Sequence, residues 1–199
     1  MHSSSQAALL LLGIVIILIT PGPTNTLLAT AGLRRGVRRA TPLMAAELAG
    51  YLIAISVWGY LVTHAAGFLT WLPTFLRVAC SVYIAYLAVL MWRTAVSLPT
   101  SAQKTVGMRT LFVTTLLNPK AMLFASAIFP ASAFGNAVVY LQTMSIFAAA
   151  LIPIGFLWIT FGAALGTGRL AWLSPDRVQR GASIVLATFS IALAWTALH

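Results

Sequence analysis

The chain has 199 residues, 60% of them apolar and 7% charged, with a mean hydropathy of +0.96. A soluble domain runs at roughly 45–50% apolar and about 25% charged, so this composition excludes a soluble globular fold, and so much apolar surface excludes disorder. The formal net charge of +10 does not point to nucleic acid, which needs a basic face on a water-soluble body; in a membrane protein Lys and Arg fix orientation instead.

A spanning helix takes about 20 mostly apolar residues. The sequence predicts six, over residues 6–32, 41–64, 70–92, 107–131, 137–165 and 177–198, in one transmembrane domain. The expected fold is an all-α membrane protein, because lipid satisfies no open backbone group and these runs are too long for barrel strands. The first span opens with an apolar stretch like that of a secretory signal peptide. Residues 1–6 carry no Lys or Arg, however, and the charges come afterwards, so the span is expected to be retained. It contains Pro21-Gly22-Pro23-Thr24-Asn25. Two prolines remove two amide donors and crowd the preceding turn, so the helix must break there.

The second span holds Glu47, the one carboxylate expected inside the membrane. A charge at the bilayer centre costs about 2.5–3.5 kcal/mol even on the lenient scale. Glu47 is read either as a functional carboxyl with a titrating proton, or as a side chain near the cytoplasmic end paired with neighbouring arginines. The third span holds Arg77, expected to snorkel at the outer end, and Cys80, the only cysteine. A single cysteine rules out an intrachain disulfide, a CxxC redox pair and a cysteine metal cluster. In the fourth span Asn118-Pro119-Lys120 predicts a second break. Lys120 suits a substrate carboxylate or Glu47 as partner, with snorkelling as the alternative. Pro153 in the fifth span reads as an ordinary kink, proline being common in membrane helices. Gly32-xxx-Gly36 and Gly162-xxx-Gly166 have the spacing of close helix contact or of a homodimer.

The basic residues fall on one side. Arg34, Arg35, Arg38 and Arg39 lie between the first two spans, Arg93, Lys104 and Arg109 lie between or beside the third and fourth, and Arg169, Arg177 and Arg180 flank the fifth and sixth. The opposite connections and both termini carry none, so the basic loops are expected to be cytoplasmic and the N- and C-termini outside. Pro21 and Pro119 each fall in the first span of a three-span half, about 1–98 and 99–199. An odd number of spans inverts one half against the other. The pattern is therefore a 3+3 inverted repeat with helices one and four broken, which in secondary transporters marks a substrate site at the repeat interface.

Half-helix N-termini suit a carboxylate and freed carbonyls suit an ammonium, so a zwitterion uses both. The expected site is Pro21, Gly22, Pro23, Asn25, Asn118, Pro119 and Lys120, with Glu47 as proton carrier or amino-group partner. An intramembrane enzyme is the less favoured alternative. Gly181-Ala182-Ser183-Ile184 has no histidine at matching depth to serve a nucleophile. His-Glu-x-x-His is absent, and two carboxylates on separate segments are too few for a metal–phosphate site. A non-transporting structural or regulatory subunit is the other alternative, and it would need no polar break in each half. No cofactor is expected.

These same residues carry a resemblance. Pro21-Gly22-Pro23-Thr24-Asn25-Thr26 with the basic stretch after it, Leu116-Leu117-Asn118-Pro119-Lys120-Ala121-Met122-Leu123-Phe124, and the run from Tyr83 to Arg93 resemble the LysE/RhtB amino-acid exporter family over nearly the whole chain. The resemblance implies export of amino acids or close derivatives from the bacterial cytoplasm across the inner membrane, in exchange with protons. Many members carry a Gly-rich segment with a polar or acidic residue in span two, where this chain has Ala46-Glu47-Leu48-Ala49-Gly50, so the order of residues around Glu47 departs from the family pattern.

Overall fold

A computed structural model describes residues 4–66, 68–69, 71–93 and 106–167, together with scattered positions between 180 and 195. Among the described residues there are helices and no strands. Helix α1 (Ser4–Ile19) meets α2 (Pro23–Ala40) across the first break at an angle of 60°. Helix α3 (Leu43–Ala66) and helix α4 (Leu72–Arg93) follow without internal breaks. Helix α5 (Met108–Leu116) meets α6 (Pro119–Leu123), which runs on into a π-helical turn (Phe124–Ile128), and the pair is bent by 43°. A 3-10 turn (Ala131–Phe134) then leads into α7 (Ala137–Gly166).

Helices α3 and α7 are long and apolar enough to cross a membrane, and each bent pair adds one more crossing if counted as a single span. Helix α4 has the length but is less apolar than either. Half of the sixth predicted span falls outside the described residues, as do Lys104, Arg169, Asp176 and Arg177. Helical positions within it pack on α4: Ser190 Oγ donates to Ser81 O at 2.8 Å, and the Arg180 guanidinium lies 5.4 Å from the Trp92 ring centroid.

One boundary differs from expectation in an informative way. The basic stretch after the first break is helix rather than loop, because α2 continues to Ala40. It is kinked at Gly36, whose φ of 72° is the one left-handed backbone among the described residues, a conformation glycine adopts without penalty. Pro153 lies inside α7, which continues to Gly166; the side chain of Arg77 lies outside the described residues.

Helix α2 packs along α7, and α3 along α5. Glycine permits both approaches. A Cβ on Gly32 would sit 2.0 Å from Ile159 O, one on Gly162 only 1.9 Å from Ala29 O, and one on Gly50 2.8 Å from the Thr115 side chain. Lipid tails are as apolar as Leu, so helices in a membrane associate by this kind of close backbone contact rather than by burial of apolar surface. One buried cluster gathers Leu28, Ala31, Ala40, Leu43, Met44, Val106, Leu111 and Ile159. It draws the Arg38–Arg39 end of α2 and the Arg109 end of α5 to the same end of the bundle. The opposite end, where α3 finishes against Phe134 and Tyr140, has Arg77 near it in the early part of α4 and no other Lys or Arg among its described residues.

Candidate functional site

The two breaks are built alike. Each has an extended residue followed by proline at the first helical position, Gly22-Pro23 and Asn118-Pro119. There the missing N–H costs nothing and the fixed φ already suits the helix. What precedes each proline decides the rest. Gly22 has no side chain and leaves space above the break, whereas Asn118 caps α6 by accepting from Lys120 N at 3.1 Å.

The breaks meet each other in the buried centre. Lys120 is 3% exposed, and its Nζ donates to Thr20 O at 2.6 Å, across to the carbonyl end of α1. Its stem lies over Gly22, where a Cβ would stand 3.0 Å from Nζ. Asn118 Nδ2 donates to Tyr51 Oη at 2.9 Å and to Thr24 Oγ1 at 3.4 Å, and those two hydroxyls are themselves 3.4 Å apart. Asn25 Nδ2 donates to both Leu18 O and Thr20 O at 2.7 Å. Carbonyls freed by the end of α1 are thus held by one amide and one ammonium. Positive groups belong there, because a helix C-terminus carries about half a negative charge.

Glu47 lies on α3 beside this cluster, 2% exposed. It interacts electrostatically with Lys120, yet its Oε2 has no hydrogen-bond partner. That oxygen faces Gly155 of α7, where a Cβ would sit 3.1 Å away, with Leu28 and Met44 alongside. A buried carboxyl oxygen without a donor is costly when charged. Tyr51 anchors the floor: its ring packs edge-on against Phe124 and Phe147, with centroids 6.0 and 5.6 Å away.

Of the residues expected from sequence, Gly22, Asn25, Asn118, Lys120 and Glu47 therefore gather in one buried region, and Pro21, Pro23 and Pro119 shape its backbone without supplying polar side chains. Pro23 is exposed. Sequence reasoning missed Thr20, which acts through its carbonyl, and Gly155. The residue before Pro21 was the available signal for Thr20; nothing local pointed to Gly155. Among the described residues no group of three or more His, Cys, Asp or Glu could hold a metal. A separate groove of about 610 Å³ opens at the far end of α3, lined by Ser56, Tyr60, Phe134, Asn136 and Tyr140.

A model of the LysE type translocator family matches residues 15–199, nearly the entire chain. The chain belongs to the LysE type translocator family. No curated protein and no solved structure matches it. As a LysE type translocator it is a multi-pass membrane protein that exports amino acids or related compounds, and the family's members are transporters rather than enzymes. The polar breaks lie wholly inside the matched region.

Asn118→Ala is expected to remove the α6 cap and the amide that bridges Thr24 and Tyr51. Lost caps cost about 1 kcal/mol and unsatisfied buried partners about 1–3 kcal/mol, which predicts a Tm lowered by about 4–16 °C for a chain of this size. Thermal unfolding of the purified variant checks it.

Proposed function

We propose that the chain is a proton-coupled secondary exporter of amino acids or their derivatives, working by alternating access at the site where its two broken helices meet. The observation that carries this reading is the contact between the breaks: Asn118 on Thr24, and Lys120 on Thr20. Ordinary packing kinks would have no reason to bring an amide, an ammonium and a carboxyl together in a buried centre. In this reading the six spans form a 3+3 inverted repeat, with halves of about 1–98 and 99–199. The basic end of the bundle faces the cytoplasm of a bacterial inner membrane and both termini face outward, in keeping with the positive-inside rule. The hydroxyl-lined groove at the opposite end of α3 would then be the outer mouth.

Pro21, Gly22, Pro23, Asn25, Asn118, Pro119 and Lys120 bind the solute in this reading, and Glu47 carries the exchanged proton. Burial supports that role. A neutral carboxyl tolerates the absence of a partner at Oε2, and an ionised one requires a cation close by. Protonation is thereby tied to what else occupies the site. A homodimer in this reading uses other surfaces, since Gly32, Gly162 and Gly166 pack within the chain. No ATP-binding motif occurs in the sequence, so the energy comes from an ion gradient.

The test is solute flux in proteoliposomes under an imposed pH gradient. Accumulation of an amino acid against its own gradient, in exchange for protons moving down theirs, is the expected result, and a structural or regulatory subunit would give none. Replacing Pro21, Pro23 and Pro119 by alanine together returns the missing amide donors at both breaks and is expected to reduce that flux at least about tenfold, the equivalent of 1.4 kcal/mol. Wild-type flux from the triple variant would sink the broken-helix site.

A further inference from the structure

The acceptor best suited to a solute amino group is filled by the chain itself. Thr20 O stands at the negative end of α1, where it accepts from Lys120 Nζ at 2.6 Å and from Asn25 Nδ2 at 2.7 Å. The lysine reaches it from the other break, is 3% exposed, and fits because Gly22 has no Cβ: one there would come within 3.0 Å of Nζ and 3.1 Å of Cε. Glu47, the nearby opposite charge, leaves its Oε2 without a hydrogen bond. The ammonium is thus held by a carbonyl at the end of a helix, with Glu47 as a nearby counter-charge rather than a hydrogen-bond partner, a setting that another primary ammonium could use equally well.

We propose that the carbonyl end of α1 is an ammonium subsite, and that Lys120 occupies it as a tethered stand-in for the amino group of the transported solute. The proposal rests on the exporter reading above. An arriving amino acid places its own ammonium on Thr20 O. The displaced Lys120 swings on its flexible stem and pairs with the solute carboxylate. The buried site then gains a zwitterion of zero net charge, so no uncompensated charge is added to a low-dielectric region. A simple amine adds one positive charge and brings no carboxylate for the displaced lysine. Preference for amino acids over amines therefore comes from the occupant of the subsite rather than from the shape of a pocket.

Lys120→Ala empties the subsite and leaves room for a three-carbon ammonium. In lipid nanodiscs the variant is expected to unfold about 5 °C below the wild type. Addition of n-propylammonium chloride is expected to recover most of that loss, while tetramethylammonium chloride or n-propanol at equal concentration recovers none. The wild type is expected not to respond to propylammonium. Recovery of the variant only when propylammonium is present throughout purification supports the proposal in the same way. A folded variant with no selective response, an equal response from the wild type, or a variant that cannot be recovered even with the amine would each overturn it. Solute flux by the wild type separates the two readings. A chain that moves no solute loses the exporter reading however the amine behaves, whereas one that moves solute without amine rescue loses only the stand-in role of Lys120.

Discussion

Glu47→Gln is expected to leave a folded protein that no longer couples solute movement to protons. Glutamine has nearly the same shape, and Oε2 of Glu47 makes no hydrogen bond that the amide would forfeit; the substitution removes a titratable group from a buried position without opening a cavity. If one proton exchanges for one solute, each pH unit of gradient is worth about 1.4 kcal/mol, which is about a tenfold accumulation. A gradient of two units should therefore drive the wild type to roughly a hundredfold accumulation, and Glu47→Gln to about one-to-one, with exchange down the solute's own gradient retained. The measurement is radiolabelled solute in proteoliposomes with the pH gradient set and then collapsed by an ionophore. Undiminished, gradient-driven accumulation by the variant would take the proton role away from Glu47. Thermal unfolding of the same preparation guards against misreading a folding defect, and a cooperative transition is expected.

The contrast between Glu47 and its neighbours explains how far the sequence could be read. Both breaks were legible because proline acts locally: the missing N–H and the clash with the preceding turn do not depend on tertiary context. Glu47 and Lys120 stood out because charges are rare and expensive in an apolar chain. Their partners were not legible. Lys120 is satisfied by the backbone of Thr20, and a carbonyl has no residue-type signature. Tyr51 joins the two breaks through a hydroxyl, but a tyrosine in an apolar run looks the same whether it packs or bridges. The helical continuation to Ala40 was missed for a different reason. Hydropathy records where a chain leaves the apolar phase, not where its helix ends, and arginine is a good helix former in water. The spacing of the glycines pointed to close helix contact or a homodimer without choosing between them: Gly32 and Gly162 serve a contact within the chain, whereas Gly36 meets nothing within 4 Å and supplies a left-handed kink.

That contact carries a large expected loss of stability. A Cβ at position 162 would lie 1.9 Å from Ala29 O and 2.6 Å from its carbonyl carbon, and one at position 32 would lie 2.0 Å from Ile159 O. The obstructing atoms are backbone, so no side-chain rotation relieves them, and α2 and α7 must separate along their crossing. Overpacking of this kind costs about 3 kcal/mol, which for a chain of this length lowers Tm by about 6–12 °C. Gly162→Ala is therefore expected to fall in that range. Gly135→Ala, where nothing lies within 4 Å and the backbone φ is −112°, is expected to change stability by no more than about 0.5 kcal/mol. The pair Gly32→Ala with Gly162→Ala tests the cause. Once one alanine has pushed the helices apart, the second meets a gap that is already open, so the double variant should cost clearly less than the sum of the singles. Additive losses would mean that each glycine matters for a separate reason. The displacement also bears on the site: α2 carries Thr24 and Asn25, and α7 carries the Gly155 that faces Glu47. Variants that part these helices should consequently lose transport at temperatures where they are still folded.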